Sequence, residues 1–286
     1  MDWPAWRADL FDPRKIPFSY RGSFYAISWL AEDGAFWLRN LRGGDEQTDL
    51  GRLFRLEVLA EPGQVADWSL APDGLTVTAG AGVLRFVFDG PNRIIVAGQG
   101  LGLRLSAGNA RYSYAQQAAD HIHICHARQD LRCNIATVEG ETQLQADWNG
   151  VSAEAVTVTL RPKDTRLEVQ LDLFRVTPDT ATAKTPQAAQ SQTAATFRQF
   201  QQSLPRVPPQ FAAGHLLASY ILWSAYVPAE GALSLPSVYM SKNWMTNIWS
   251  WDHCFVALAF GAAAPELAFG QMQAIFNAQD ASGRLP

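Results

Sequence analysis

The sequence has few charges and no long hydrophobic run. Only 17% of its 286 residues are charged, and the net charge is −4. That balance gives no basic surface for nucleic acid or for an anionic membrane. No stretch reaches the ~18 consecutive apolar residues that a membrane-spanning helix needs. We therefore expect neither nucleic-acid nor membrane partners, and composition leaves the oligomeric state open.

Cysteine is also scarce. The three cysteines, Cys125, Cys133 and Cys254, lie far apart and are odd in number. This fits free thiols in a reducing compartment better than a disulfide framework of a secreted protein. Residues 1–16 carry Asp, Arg and Pro and lack the apolar segment of a secretory signal. The expected location is the cytoplasm.

Short strand-like segments fill the first half of the chain. Residues 1–16 read as an irregular arm, and from 17 to 176 short runs of β-branched and aromatic residues alternate with polar ones. Turn sequences separate these runs, for example at 32–34, 72–74 and 149–150. About a dozen strands at this spacing predict a sandwich of two antiparallel sheets.

A different composition follows. Residues 177–196 are rich in Thr, Ala, Gln and Pro, which predicts a domain linker with a helix starting in its second half. A short helix is expected over 193–204, where Pro205 would end it. The segment 211–227 is apolar nearly all round, as a helix inside a bundle or toroid would be.

Two more helices are expected, at about 251–263 and from Pro265 to about 277. Residues 197–286 therefore predict the beginning of a helical domain. Because so few helices would leave the apolar faces of 211–227 uncovered, we expect the chain to be the N-terminal part of a longer protein.

The most informative stretch is 241–260. Trp244, Trp249 and Trp251 crowd into it, and Asp252 follows them where a loop becomes a helix. A helix start holds a carboxylate ionised and oriented. Sugar C–H faces pack on indole rings and sugar hydroxyls need acceptors, so this pattern favours a saccharide site. A buried aromatic cluster with Asp252 as a helix cap is the alternative.

This stretch also carries a family resemblance. WSWDHCF followed by a helix, and then FNAQDASGRLP, resembles the start of the catalytic domain of glycoside hydrolase family 63. The segment 17–30 is similar to the opening of the bacterial members that act on mannosylglycerate and glucosylglycerate. The resemblance implies multidomain architecture, β then α: an antiparallel β-sandwich, then the first helices of an (α/α)6 toroid.

The resemblance further implies an inverting hydrolase of small α-glucosides or α-mannosides. Both catalytic carboxyl groups of that family come from later helices, so no catalytic residue is expected within this chain. Asp252 matches the aspartate that holds sugar hydroxyls, and loop neighbours are expected to line the same mouth. The expected substrate-binding residues are Asp252, Trp251, Trp249, Trp244, Tyr239, Lys242, Asn243, His253 and Gln279.

Other interpretations stay open. The sandwich is alternatively a carbohydrate-binding or scaffold module without hydrolytic activity, and another toroid chemistry, a phosphorylase or a lyase, would use a similar mouth. We expect no cofactor and no metal. His121, His123 and Cys125 alternate on one strand face, but neighbouring residues of one strand rarely converge on a single zinc ion, and a fourth ligand is not evident.

Overall fold

The computed structural model describes residues 8–44, 51–107 and 111–285. Most of the first part is a pair of packed antiparallel sheets. One sheet has seven strands in the order β1-β2-β3-β4-β9-β14-β13. Its strands are β1 (Phe18–Ser19), β2 (Tyr25–Leu30), β3 (Ala35–Asn40), β4 (Arg52–Leu59), β9 (Gly102–Ala107), β13 (Glu141–Gln145) and β14 (Val156–Arg161).

The second sheet has eight strands in the order β10-β11-β12-β15-β8-β7-β6-β5. Its strands are β5 (Asp67–Ala71), β6 (Gly74–Ala79), β7 (Gly82–Phe88), β8 (Arg93–Gln99), β10 (Tyr114–Gln117), β11 (Ile122–His126), β12 (Leu131–Glu139) and β15 (Arg166–Phe174). All strand pairs within the two sheets are antiparallel.

The core lies between the two sheets. In β15, Leu167, Val169, Leu171 and Leu173 are buried while the residues between them are half-buried or exposed. This is the period-two pattern of a strand with one face in the core. The antiparallel sandwich predicted from the alternation is confirmed.

Helix α1 (Pro186–Ser203) lies on the outer face of the eight-stranded sheet. It begins at Pro186, seven residues before the short helix expected over 193–204, so about half of the predicted linker 177–196 is helical. The Thr185 side chain caps the helix by accepting a hydrogen bond from the Ala188 N–H, and Pro186 occupies its first turn. Ala189 packs on Val87 and Ile95, and this packing stabilises a segment whose only large apolar residues are Phe197 and Phe200.

Helix α2 (Ala212–Ala225) confirms the predicted helix over 211–227. Tyr220 and Trp223 are fully buried, and they pack edge-on against Phe197 of α1. The Tyr220 hydroxyl donates to the Pro17 carbonyl oxygen (3.0 Å) and accepts from the Ser19 N–H (3.2 Å). These contacts join the helical segment to the first strand of the sandwich.

A short hairpin of β16 (Tyr226–Val227) and β17 (Ser237–Val238) then leads to α3 (Ser250–Gly261) and α4 (Pro265–Phe276). Both helices match their predicted positions, and they pack on each other. Several large apolar side chains on them are exposed: Trp251, Phe255, Leu258, Phe269 and Phe276. The order of sheets and helices confirms the predicted fold class, an antiparallel sandwich followed by helices arranged as at the start of an (α/α)6 toroid. Within the described ranges, no helix is long and apolar enough to cross a membrane.

Candidate functional site

A cleft of about 730 Å³ lies where the sandwich meets the helical segment. The sandwich contributes the end of β3, the turn before β12 and the end of β15. The helical segment contributes the loop after β16, the loop before α3 and the C-terminal part of α4. Its polar lining residues are Asn40, Arg42, Arg128, Gln129, Asp130, Arg175, Glu230, Ser234, Tyr239, Thr246 and Asn247.

Two arginines and two carboxylates form a connected ion network in this cleft. Arg42 donates to both oxygens of Glu230, with Nε–Oε1 at 2.8 Å and Nη2–Oε2 at 3.2 Å. Arg175 donates to Glu230 Oε1 (3.1 Å) and, through Nε, to Asp130 Oδ2 (3.0 Å). Burial acts to raise the pKa of Glu230, but the hydrogen bonds and charges of Arg42 and Arg175 hold it below its usual value. Both carboxylates are therefore ionised acceptors at neutral pH.

The apolar floor of the cleft includes two aromatic rings. Tyr239 and Phe24 contact each other edge-on at 6.2 Å between centroids, and the Arg42 guanidinium lies 4.3 Å from the centre of the Phe24 ring. Burial raises the pKa of Tyr239 to about 12, so its phenol keeps its proton and offers a donor. Ionised acceptors, donors and rings in a cleft of this volume suit a polyhydroxylated ligand.

The loop between β17 and α3 forms one wall of the cleft through Thr246, Asn247 and Ile248. The tryptophans that flank this wall are exposed: 65% for Trp244 and 44% for Trp249. Large aromatic side chains are usually covered, so these two indoles are open to contacts that the described residues do not supply.

Asp252 lies in the first turn of α3, as the sequence predicted. Its side chain is half-buried, and among the described residues none donates a hydrogen bond to its carboxylate. The interpretation as a helix cap alone therefore has no support in the described contacts, because a cap binds free N–H groups. Trp251 beside it is 74% exposed and touches Phe255 edge-on.

Asp252 and the three tryptophans are not among the described residues that line the cleft, whereas Tyr239 is. The residues expected to form a single mouth are thus divided between the cleft, which Tyr239 lines, and positions outside its described lining. The exposed Trp244, Trp249 and Trp251, with Asp252, are here called the tryptophan segment. Residues 246–248, which line the cleft, lie between Trp244 and Trp249 in the sequence.

Two predicted contact residues lie inside the protein instead. The expectation of a loop lysine open to a substrate carboxylate is corrected for Lys242, which is 4% exposed with its ammonium turned toward the turn between β1 and β2. His253 is fully buried in α3, and burial lowers the pKa of its imidazole. Neither side chain faces solvent, so we remove both from the set of contacts.

The last two predicted residues are placed differently. Asn243 is half-buried, and its carbonyl oxygen accepts a hydrogen bond from Arg39. Gln279 is exposed in the turn after α4, where its side chain donates to the Gly283 carbonyl oxygen at 2.7 Å. Asp280 caps the same turn by accepting from the Ser282 and Arg284 N–H groups. Gln279 thus holds its own turn in this conformation.

The residues that sequence reasoning missed are the charged ones of the cleft. Arg42 and Glu230 are 188 residues apart, and Arg175 joins them from the end of the sandwich. None belongs to a local motif, so only the folded chain brings them together. The only local sequence feature next to Arg42 in the cleft lining is the pair Gly43 and Gly44, both with positive φ, which sets a turn rather than a chemistry.

The strand with alternating histidines does not form a metal site among described residues, where no group of three or more potential ligands converges. His121 pairs with Asp120, and His123 pairs with the Asn134 side chain at 2.8 Å. His126 points to the opposite face and packs edge-on against Phe54 in the core.

No family model and no curated protein matches this sequence. Solved structures do. The chain is similar to a family 92 glycosyl hydrolase, with a TM-score of 0.59 and 12% identity over 94% of this chain and 49% of that one. It is also similar to a family 92 α-mannosidase from Bacteroides thetaiotaomicron, with a TM-score of 0.55 and 9% identity over 90% and 49%.

A third similar structure is named as a kojibiose phosphorylase from the human microbiome, with a TM-score of 0.52 and 8% identity over 92% of this chain and 46% of that chain. The chain spans about half the length of each of these structures. At such identities the likeness shows a shared fold. These structures carry the family 92 and phosphorylase names, so they support the broader glycosidase-type resemblance and not family 63 in particular. The chain therefore has the fold of glycosidase and phosphorylase structures, along the half that it spans.

Proposed function

We propose that this chain supplies the N-terminal sandwich and part of the sugar-binding surface of a glycoside-processing enzyme. The observation that carries the proposal is the exposure of the tryptophan segment. Its three open indoles and a carboxylate without a described donor belong to the stretch of chain that also supplies one wall of the polar cleft, through residues 246–248. The structures with the same fold are named as glycosidases and as a phosphorylase, which supports this class of activity.

Each part of this surface has a chemical task. The indole faces of Trp244, Trp249 and Trp251 pack on the C–H face of a pyranose. Asp252 accepts hydrogen bonds from vicinal hydroxyls, and the charge-assisted bonds it makes are stronger than neutral ones. Tyr239 offers a phenol donor on the cleft side.

We further propose a small α-mannoside or α-glucoside as substrate, glucosylglycerate among them, as the resemblance to family 63 implies. Hydrolysis with inversion needs an acid and a base on opposite faces of the scissile bond. We assign neither role to a residue of this chain, and we propose that both come from further helices. The exposed Phe255 and Leu258 of α3 and Phe269 and Phe276 of α4 support this, since packed helices would cover such side chains.

A phosphorylase is a second candidate, favoured by the likeness to the structure named as a kojibiose phosphorylase. Both candidate enzymes would use the same sugar-binding surface. They differ in whether water or phosphate attacks the anomeric carbon of the glycoside. Free thiols at Cys125, Cys133 and Cys254 support a cytoplasmic location for either.

The proposal is tested by titrating the chain with methyl α-mannoside, methyl α-glucoside and glucosylglycerate while following tryptophan fluorescence. We expect saturable binding of at least one of them, and its loss in Trp251→Ala. Trp148→Ala is the matched control, because Trp148 is a 57% exposed indole of the sandwich that is not among the described residues lining the cleft. Equal loss of binding in both variants, or none in the unmodified chain, would refute the proposal.

The same preparations are then tested for release of sugar with and without phosphate. We expect none from residues 1–286, because the acid and the base are assigned elsewhere. Turnover by the purified chain would show that this assignment is wrong. Binding that persists in Trp251→Ala and Asp252→Asn would instead favour the sandwich as a binding module.

A further inference from the structure

Lys242 is a buried cation in the loop that carries the tryptophans. Its side chain is almost fully covered, and Nζ donates to three oxygens of the turn between β1 and β2: Ser19 Oγ (3.0 Å), the Tyr20 carbonyl (3.4 Å) and the Ser23 carbonyl. In the described part of the chain no carboxylate forms an ion pair with it. A charge buried in this way is stabilised only by the dipoles around it.

All three partners of Lys242 act as acceptors. Carbonyl oxygens have no proton to give, and Ser19 Oγ already donates its own proton to the Tyr25 carbonyl oxygen at 2.6 Å. A neutral amine has two N–H groups and a lone pair, so it would leave one acceptor facing that lone pair. Burial lowers the pKa of Lys242 well below its ordinary value, while the three acceptors favour the ammonium form.

The next residue of the loop is held by a second buried cation. Arg39 lies in β3 and is 2% exposed, and its Nη1 donates to the Asn243 carbonyl oxygen and to Ser28 Oγ (3.4 Å). Lys242 is thus bound to the turn between β1 and β2, and Asn243 is bound through Arg39 to β3 and β2. Two consecutive loop residues are therefore fixed to the sandwich.

The loop is closed on itself above this attachment. The Met240 N–H donates to the Asn247 carbonyl oxygen (3.1 Å), and the Ser241 N–H donates to the Met245 carbonyl oxygen (3.0 Å). Trp244 is at the tip of this closed loop and is mostly exposed. Burial of the indole therefore does little to hold the tip in place, and the polar contacts below it must do so.

We propose that Lys242, together with Arg39, is a positioning residue that fixes the loop 240–248 on the sandwich, so that Trp244 and the cleft wall at 246–248 are set before a saccharide binds. The saccharide part of this inference rests on the proposed function. Fixing a contact loop in advance raises affinity, because less conformational entropy is lost on binding.

The test compares Lys242→Met with Lys163→Met by hydrogen exchange in the full chain. Methionine keeps most of the side-chain volume and removes the three donors, and Lys163 is an exposed lysine of the sandwich. We expect the Met240 and Ser241 amides to exchange about tenfold faster or more in Lys242→Met, the size of losing a hydrogen-bonded buried charge. Amides of β15 should keep their rates. Unchanged exchange rates of the Met240 and Ser241 amides, or an equal rise in the exchange rates of the β15 amides, would overturn the inference.

If Lys242→Met does not fold, a milder variant tests whether Lys242 fixes the loop. Ser19→Ala removes one acceptor of Nζ and leaves both carbonyl partners in place. We expect the same selective acceleration at Met240 and Ser241, smaller in size, and its absence would overturn the inference.

Saccharide affinity is the second readout. The affinity for whichever of methyl α-mannoside, methyl α-glucoside and glucosylglycerate binds the unmodified chain should fall by about tenfold in Lys242→Met and stay unchanged in Lys163→Met. An equal affinity in both variants, with the loop shown to be loosened, would overturn the role of Lys242 in setting the contact surface. If no probe binds the unmodified chain, the proposed function fails, while the exchange experiment still decides whether the loop is fixed by Lys242.

Discussion

Arg42 and Glu230 form a two-point ion pair that joins the turn after strand β3 to the loop after β16. Their Nε–Oε1 and Nη2–Oε2 distances are 2.8 and 3.2 Å, and the side chains are 20% and 29% exposed. The bidentate geometry and the partial burial make this pair stronger than an ordinary surface ion pair. Both residues line the cleft, Arg42 from the sandwich and Glu230 from the helical segment.

Glu230→Gln should lower the free energy of unfolding by about 1 kcal/mol at pH 7, because Arg42 and Arg175 lose a charged partner. A double-mutant cycle with Arg42→Met, measured by urea unfolding, isolates the pair. The pKa of Glu230 is held below its usual value, so the stabilisation is present above the unfolded pKa and is lost as pH falls through the lower folded pKa. A coupling energy of zero at pH 7 would contradict this account.

Tyr220→Phe should lower the free energy of unfolding by about 1–2 kcal/mol, because the buried Ser19 N–H and Pro17 carbonyl lose their partner. Tyr112→Phe is the control, since Tyr112 is 58% exposed. Urea unfolding of both variants gives the comparison. Similar stability of the two variants would show that the hydroxyl does not hold α2 to the sandwich.

Stability should fall in mild acid because of His126. Burial lowers the pKa of its imidazole to about 4, and the unfolded value is near 6.5. The neutral imidazole therefore costs the folded protein nothing above pH 6.5, and the free energy of unfolding falls below that pH, by about 3 kcal/mol at pH 4.

The measurement for His126 is the free energy of unfolding of the unmodified chain and of His126→Phe across this range. Carboxylates titrate in both proteins, so the difference between the two curves reports the imidazole. We expect the difference to change by about 3 kcal/mol in favour of the variant between pH 7 and 4. Parallel curves would mean that His126 becomes charged as easily in the folded protein as in the unfolded one.

Trp244→Ser and Trp251→Ser should each change the free energy of unfolding by less than about 0.5 kcal/mol, since both indoles are mostly exposed. Trp223→Ser, in which a fully buried indole is removed, should cost more than about 3 kcal/mol or prevent folding. Thermal unfolding ranks the three variants. A large loss for Trp244→Ser or Trp251→Ser would assign these rings to the core rather than to binding.

Much of the fold was predictable because period-two alternation and turn residues are local signals. The twofold alternation in segments such as 166–174 predicted the sandwich, and the apolar run over 211–227 predicted α2. The start of α1 was not predicted correctly, because Thr185 and the packing of Ala189 on the sheet decide it. An isolated helix of this length is marginal in water, so contacts of that kind decide where it begins.

The candidate site was only partly predictable. The position of Asp252 in a first helical turn agrees with the sequence interpretation, while the role of the exposed tryptophans in binding stays a prediction. The burial of Lys242 was not evident, because its acceptors come from a turn more than 200 residues earlier in the chain. A lysine in a polar loop is ordinarily solvated, and no local pattern marks one that is not.

The central claim is that Asp252 and the tryptophans beside it hold a saccharide. Titration calorimetry of the unmodified chain, Asp252→Asn and the control Asp67→Asn, an exposed strand residue, tests it most directly with methyl α-mannoside and methyl α-glucoside. We expect binding that Asp252→Asn weakens about tenfold or more, as for the loss of a charge-assisted hydrogen bond, and that Asp67→Asn leaves unchanged. Identical affinities for the unmodified chain and Asp252→Asn would contradict the claim.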